Sequence, residues 1–138
     1  MMLTVHLQIV GVLLVMLGLS HVFYNNYFGW SVELAGVSLF TRRVFFVHTF
    51  FVAMTVTMMG AFSVAYARLL MEPQPLSRAI LAGMTIFWGS RLAAQFCAYE
   101  SAIWRGDRFR TAMYVAFSIL WVYVTATYGL ALAWSLHM

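Results

Sequence analysis

The residues of this sequence best able to do chemistry are a few polar side chains inside long apolar runs. The clearest is Arg91, in the run FWGSRLAAQFCAYE at 87–100, with Gln95 one helical turn further on. A charged side chain costs a few kcal/mol in lipid, so it is expected to face protein or a water-filled cavity. Arg91 and Gln95 therefore form the centre of the predicted site.

Four further candidates are expected at the same depth as Arg91: His21 and Tyr24 near the end of the first apolar run, His48 near the start of the second, and Tyr99. Two histidines on neighbouring helices can ligate a b-type haem, which makes His21 and His48 candidate axial ligands. A histidine, an arginine and a tyrosine could instead hold a quinone head group by hydrogen bonds. The alternative is structural: the histidines bond to backbone or headgroups, and Arg91 extends toward lipid phosphates.

The surroundings of Arg91 predict close helix packing. Ser90, Ala94 and Ala98 form a row of small residues, the kind of row that lets two helices approach closely. Trp88 lies three residues before Arg91 and can offer its ring face to the guanidinium.

Composition places these residues in a membrane. Of the 138 residues, 64% are hydrophobic and only 9% are charged, against about a quarter in soluble domains. A signal peptide does not account for this, because the apolar character continues to the C-terminus. The apolar runs also lack the alternation of membrane barrel strands. The sequence therefore predicts an all-α integral membrane protein in contact with the lipid bilayer.

Four runs are long enough to cross the hydrocarbon core, which takes about 20 residues. They cover roughly 3–24, 43–70, 78–99 and 110–136. We expect one domain, residues 1–138, with four transmembrane helices in an up-down antiparallel bundle. Thr41, Ser77 and Asp107 are the expected N-caps of the last three helices. Both prolines are expected in the second connection. The first connection, about 25–42, is expected to lie along the membrane surface with Glu33 facing water.

Arginine is unevenly distributed between the connections. The first and third carry Arg42, Arg43, Arg105, Arg108 and Arg110, and the opposite side carries Arg68 and Arg78. Because arginine-rich short loops stay cytoplasmic, both termini are expected on the non-cytoplasmic side of a bacterial inner membrane. The run WRGDRFR is expected to contact anionic headgroups or an acidic patch of a partner.

Several classes of function are disfavoured. A net charge of +4 is too scattered for nucleic acid, and the single cysteine excludes an internal disulfide and a zinc-finger site. No stretch resembles a nucleotide-binding loop, a Ser/His/Asp arrangement or a HExxH helix.

Two hypotheses for function remain. The first is a non-catalytic accessory or anchor subunit of a larger membrane complex, involved in electron transport and holding haem b or a quinone near His21, His48 and Arg91. The second is a small membrane enzyme or carrier for a lipophilic substrate. There Arg91, Gln95 and Glu100 would bind the polar head, and His48 would act as general acid or base.

Overall fold

Helices account for most of the chain in the computed structural model, which describes residues 2–99 and 104–138. No β-strand occurs among these residues. The elements, in chain order, are α1 (Met2–Phe28), α2 (Trp30–Glu33), a 3-10 turn (Leu34–Gly36), α3 (Leu39–Ala65), α4 (Ala67–Leu70), α5 (Pro75–Cys97) and α6 (Arg108–His137). The prediction of an all-α chain is confirmed.

Three of these helices, α1, α3 and α6, are long and apolar enough to cross a membrane, which supports a membrane protein. Helix α5 is not among them. It carries Arg78, Arg91 and Gln95, and these residues lower its hydropathy although it is 23 residues long. The fourth membrane span and the four-helix bundle stay predictions.

The chain divides into two compact units. The first consists of residues 1–7 with 67–138, and the second is Gln8–Tyr66. The division falls where the predicted span 43–70 breaks: α3 ends at Ala65, and α4 begins after Tyr66.

In the unit Gln8–Tyr66, α1 and α3 pack through glycine. A methyl group added at Gly60 would lie 2.6 Å from the carbonyl oxygen of Gly11 and 2.7 Å from the amide of Val15. One added at Gly18 would lie 2.9 Å from the carbonyl oxygen of Ala53. Contacts this short leave no room for a side chain, so glycine is required here. Gly11 pairs with Gly60 and Gly18 with Ala53, which makes the two helices antiparallel.

In the other unit, α5 and α6 form a second antiparallel pair. Contacts run from Gln95 with Tyr114, through Trp88 with Trp121, to Arg78 with Ser135. The buried residues of α5 recur every three to seven positions: Ser77, Leu81, Met84, Trp88 and Gln95. Those of α6 recur every three or four positions apart from one adjacent pair: Trp121, Val124, Thr127, Tyr128, Ala131 and Ser135. Spacing of this kind keeps one stripe of each helix facing the other.

The helix ends correct two of the three predicted caps. Asp107 caps α6, accepting a hydrogen bond from the Arg110 amide at 3.0 Å, as predicted. The prediction of Thr41 as the N-cap of α3 was wrong, because Ser38 is the N-cap and its side chain accepts a hydrogen bond from the Thr41 amide. Ser77 was also wrong: its hydroxyl donates to the Leu69 carbonyl oxygen at 2.9 Å.

Helix α5 begins at Pro75, so only Pro73 lies in the second connection. Proline suits a first helical position, since the amide it lacks would have no helical partner.

The first connection is shorter and more helical than predicted. Helix α1 continues to Phe28, and Gly29 turns the chain with φ of 65°, a conformation that favours glycine. Edge-on ring contacts then join Trp30 to Tyr24 and to Phe45. Glu33 is exposed, as expected.

Candidate functional site

Arg91 on α5 is held on two sides. Its guanidinium carbon lies 4.7 Å from the ring centre of Trp121 on α6 and 5.8 Å from that of Tyr99. A cation over an aromatic face gains about 0.5–2 kcal/mol, more as water is excluded. The prediction that Trp88 plays this role was wrong. The Trp88 ring stacks on Trp121 instead, with 5.3 Å between ring centres and 14° between ring planes.

Gln95 fixes the guanidinium from one turn below. Its Oε1 accepts from Arg91 Nη1 at 3.2 Å, and its Nε2 donates to the Tyr114 carbonyl oxygen at 3.5 Å. Because Gln95 is buried, both ends of its amide are used inside the protein. Gln95 is therefore a positioning residue for Arg91.

Hydrogen-bond donors outnumber acceptors around Arg91. The indole nitrogens of Trp88 and Trp121 are buried, and neither has a hydrogen-bond partner within the described part of the chain. Trp88 is 1% exposed and Trp121 4%. Arg91 adds further N–H groups and has no carboxylate partner among residues 2–99 and 104–138. A group that brings acceptor oxygens to the groove would satisfy the remaining N–H groups of Arg91.

A groove on α5 leads away from Arg91. It has a volume of about 620 Å³ and is lined by Gly83, Ile86, Phe87, Ser90 and Arg91. A methyl group at Gly83 would meet nothing within 4 Å, and Ile86 is 69% exposed. This open face of α5 is mainly apolar and has its charged group, Arg91, at one end.

The row of small residues does not form the contact with α6. Ser90 and Ala98 are exposed, and the Ser90 hydroxyl donates to the Ile86 carbonyl oxygen of its own helix. The face of α5 toward α6 carries Trp88 and Gln95 instead. Ser90 is thus part of the open groove.

His21 has the local environment of a metal-binding histidine. Its Nδ1 donates to the Leu17 carbonyl oxygen at 2.8 Å, which leaves Nε2 available. The Tyr24 ring lies 4.5 Å from the imidazole, and Ser20 Oγ lies 3.0 Å from the Tyr24 hydroxyl. Tyr24 thus contacts His21 through its ring.

His48 on α3 is exposed. It comes five residues before Ala53, which faces α1, so it lies about 140° around the helix from that contact. No hydrogen bond to His48 occurs within the described residues. His21 and His48 do not therefore face each other across the α1–α3 contact.

The predicted site residues fall into both units. His21, Tyr24 and His48 belong to Gln8–Tyr66, while Arg91, Gln95 and Tyr99 belong to the unit of α5 and α6. Within the latter, Arg91, Gln95 and Tyr99 lie together. Glu100, the proposed third ligand of a polar head group, lies outside the described residues.

Sequence reasoning missed the contributions of α6 and a polar pair elsewhere. Trp121 and Tyr114 approach Arg91 only because of the register between α5 and α6, and the stripe of buried residues on α6 was the signal for it. In the polar pair, His6 Nδ1 lies 2.8 Å from the Tyr123 hydroxyl.

Comparison of the chain with protein-family models, with curated proteins and with solved structures finds no match.

Proposed function

We propose that this chain is an accessory subunit of a larger membrane complex and that it holds a quinone by its head group at Arg91. The observation that carries the proposal is the Arg91 guanidinium at one end of an apolar groove, with no carboxylate partner within the described residues. Gln95 Oε1 accepts from one of its N–H groups, and the buried indole N–H groups of Trp88 and Trp121 lie nearby, in the α5–α6 contact, without a partner among the described residues. A buried donor without a partner costs about 1–3 kcal/mol, which a bound acceptor would recover.

A quinone matches this set of groups. Its two carbonyl oxygens accept hydrogen bonds and donate none, and its flat ring can pack against aromatic side chains. Its isoprenoid tail fits the apolar groove beside Gly83 and Phe87. A chain made mostly of apolar helices suits a role in which other subunits carry out the redox chemistry.

We also propose that α5 is the fourth membrane span, in an up-down antiparallel bundle with both termini outside the cytoplasm. The antiparallel pairs α1–α3 and α5–α6 support this proposal. Because α5 is the most polar of the long helices, its place in the membrane would depend on neighbours that shield Arg91.

The test is quinone binding by variants of Arg91. A short-tailed quinone is titrated calorimetrically into detergent-purified protein, and the quinones that copurify are extracted and identified by mass spectrometry. Arg91→Leu should weaken binding at least about tenfold, since a hydrogen bond to a charged group contributes about 1.5–3 kcal/mol. Arg91→Lys should recover little, because lysine lacks the planar set of donors.

Arg78→Leu is the matched control. Arg78 is also a part-buried arginine of α5, but it donates to the Ser135 carbonyl oxygen at the other end of the helix. It should bind quinone like the parent. If it loses as much affinity as Arg91→Leu, or if fatty acids rather than quinones copurify, the quinone proposal is wrong. The second result would favour an enzyme or carrier for a lipophilic substrate.

Haem b is a second candidate, supported by the free Nε2 of His21. A low-spin bis-histidine haem gives sharp visible bands on reduction, so protein from a haem-replete host is examined by a reduced-minus-oxidised spectrum. If haem binds at His21, His21→Ala should abolish the bands, and His48→Ala should do so if His48 is the second ligand. A featureless spectrum of the parent would end the haem hypothesis and leave the Arg91 site unaffected.

A further inference from the structure

A second groove runs along the first half of α6, on a part of the unit away from Arg91. It has a volume of about 710 Å³. Its lining is Gly106, Asp107, Arg108, Thr111, Ala112, Val115, Ala116 and Ile119. The polar residues come first, at the start of the helix, and the apolar ones follow. The groove therefore has a polar end and an apolar end.

The apolar end is an exposed stripe of small and branched side chains. Val115 is 48% exposed and Ile119 66%, and Ala112 and Ala116 are exposed as well. From Arg108 to Ile119 the helix rises by about 16 Å. Half of the hydrocarbon core of a bilayer is about 15 Å thick. The whole groove thus spans about one leaflet, and its apolar stripe, about 10 Å from Ala112 to Ile119, can contact the part of an acyl chain nearest the headgroup.

The polar end carries a surplus of positive charge. The carboxylate of Asp107 caps the Arg110 amide and lies 3.7 Å from the Arg110 guanidinium, so its charge is already offset. Arg105 and Arg108 remain. Arg108 lines the groove and is exposed, and Arg105 lies 5.4 Å from the ring centre of Trp104.

Trp104 is held against the start of α6. Its ring stacks on Tyr114 at 4.4 Å and 11° between planes. Its carbonyl oxygen accepts from the Thr111 hydroxyl at 2.8 Å. These contacts keep Arg105, the next residue, beside the polar end of the groove.

We propose that this groove binds one anionic phospholipid, with the phosphate at Arg105 and Arg108 and an acyl chain along Ala112, Val115 and Ile119. The positive charge at one end and the exposed apolar stripe that follows it together select this occupant. An acidic segment of a partner would match the arginines but not the exposed apolar stripe. The site is independent of the Arg91 groove.

The test is lipid retention by the whole chain, measured by native mass spectrometry. Protein in mild detergent is mixed with equal amounts of phosphatidylglycerol and phosphatidylcholine of the same acyl composition, and the bound lipids are counted. The parent should retain one phosphatidylglycerol in preference to phosphatidylcholine. Arg105→Gln and Arg108→Gln should each lower that preference about fivefold, as expected for one arginine near an anionic headgroup.

Two matched controls separate a groove from general attraction to the membrane surface. Arg43→Gln removes an exposed arginine at the start of α3 and should leave the preference unchanged. Ala116→Phe fills the groove while keeping every charge, and should abolish retention of the bound lipid. Ala126→Phe places the same side chain at another exposed position of α6 and should have no effect.

Three results would overturn the proposal. The first is equal retention of the two lipids by the parent. The second is a loss of preference in Arg43→Gln as large as in Arg108→Gln. The third is full retention by Ala116→Phe, which would show that the headgroup is attracted without the acyl chain being bound.

Discussion

Arg91 shows how a charged residue is kept within an apolar helix. The Trp121 ring covers one side of the guanidinium, and the buried Gln95 fixes one Nη atom. These contacts recover part of the cost of removing the charge from water, and they leave several N–H groups unused. A side chain that only reached for headgroups would not need a buried glutamine to hold it.

The first prediction concerns the indole nitrogens of Trp88 and Trp121, which have no hydrogen-bond partner within the described residues. Trp88→Phe and Trp121→Phe keep an aromatic ring in place and remove only the N–H donor and some ring area. If both groups donate to a bound quinone, each change should weaken binding by roughly 1 kcal/mol, or about fivefold. Calorimetric titration measures the change, and circular dichroism confirms the helical fold.

Trp134→Phe is the control for this pair, since Trp134 is 37% exposed on α6 and takes no part in the Arg91 site. It should leave the affinity unchanged. Equal affinities for all three variants and the parent would mean that the indole nitrogens do not donate to the ligand.

The sequence predicted Arg91 and Gln95 because polar residues are conspicuous in an apolar run. It did not predict Trp121, because tryptophan in a membrane helix is common and nothing local ties it to Arg91. The assignment of the cation's partner depends on how α5 and α6 align. Trp88 was the nearer ring in sequence, but it faces α6 and stacks there.

Among the elements, α1 and α3 contact each other directly through their backbones. Gly11 and Gly60 bring the helices so near that each would crowd a methyl group on the other. In lipid there is little hydrophobic drive to associate two helices, so close packing of this kind supplies much of the attraction. It also makes the contact intolerant of added volume.

The second prediction tests this contact. Gly60→Ala should destabilise the protein by about 1–3 kcal/mol, since the methyl group would lie 2.6 Å from the Gly11 carbonyl oxygen and the helices must separate. Unfolding in a denaturing detergent, followed by circular dichroism, measures the difference. Gly83→Ala is the control, because space there is open and alanine is the better helix former. It should be neutral or mildly stabilising, and a Gly60→Ala protein as stable as this control would contradict the packing argument.

The elements themselves were largely predictable, and their ends less so. Long apolar runs define α1, α3, α5 and α6. The cap positions failed at Thr41 and Ser77, because another side chain nearer the turn, or proline at the first position, began the helix earlier. The glycine contact was overlooked, although Gly11 and Gly18 lie seven residues apart on α1.

For the molecule as a whole, the position of α5 decides the topology. With four spans, both termini lie on one side of the membrane; with three, they lie on opposite sides. The third prediction is that reporters active only in the cytoplasm give no signal when fused at either terminus. A reporter inserted at Gly106 should be active, because WRGDRFR is expected to be cytoplasmic.

A signal at one terminus alone would show that α5 does not cross the membrane, and signals at both would reverse the orientation. The sequence gives the number of apolar runs, but α5 is a borderline case, since its polar residues are also the residues of the candidate site. The same side chains that suggest a function therefore weaken the prediction of the membrane span.

The hydrogen bond between His6 and Tyr123 has a consequence for the order in which the protein is made. It joins residues 117 positions apart. The glycine contact between α1 and α3 involves only residues before residue 67. The ribosome has therefore synthesised both of these helices before it synthesises α6. The hydrogen bond of His6, in the first turns of α1, can form only after Tyr123 has been synthesised, near the end of translation of this sequence. The start of α1 thus gains this tertiary hydrogen bond only when α6 is present.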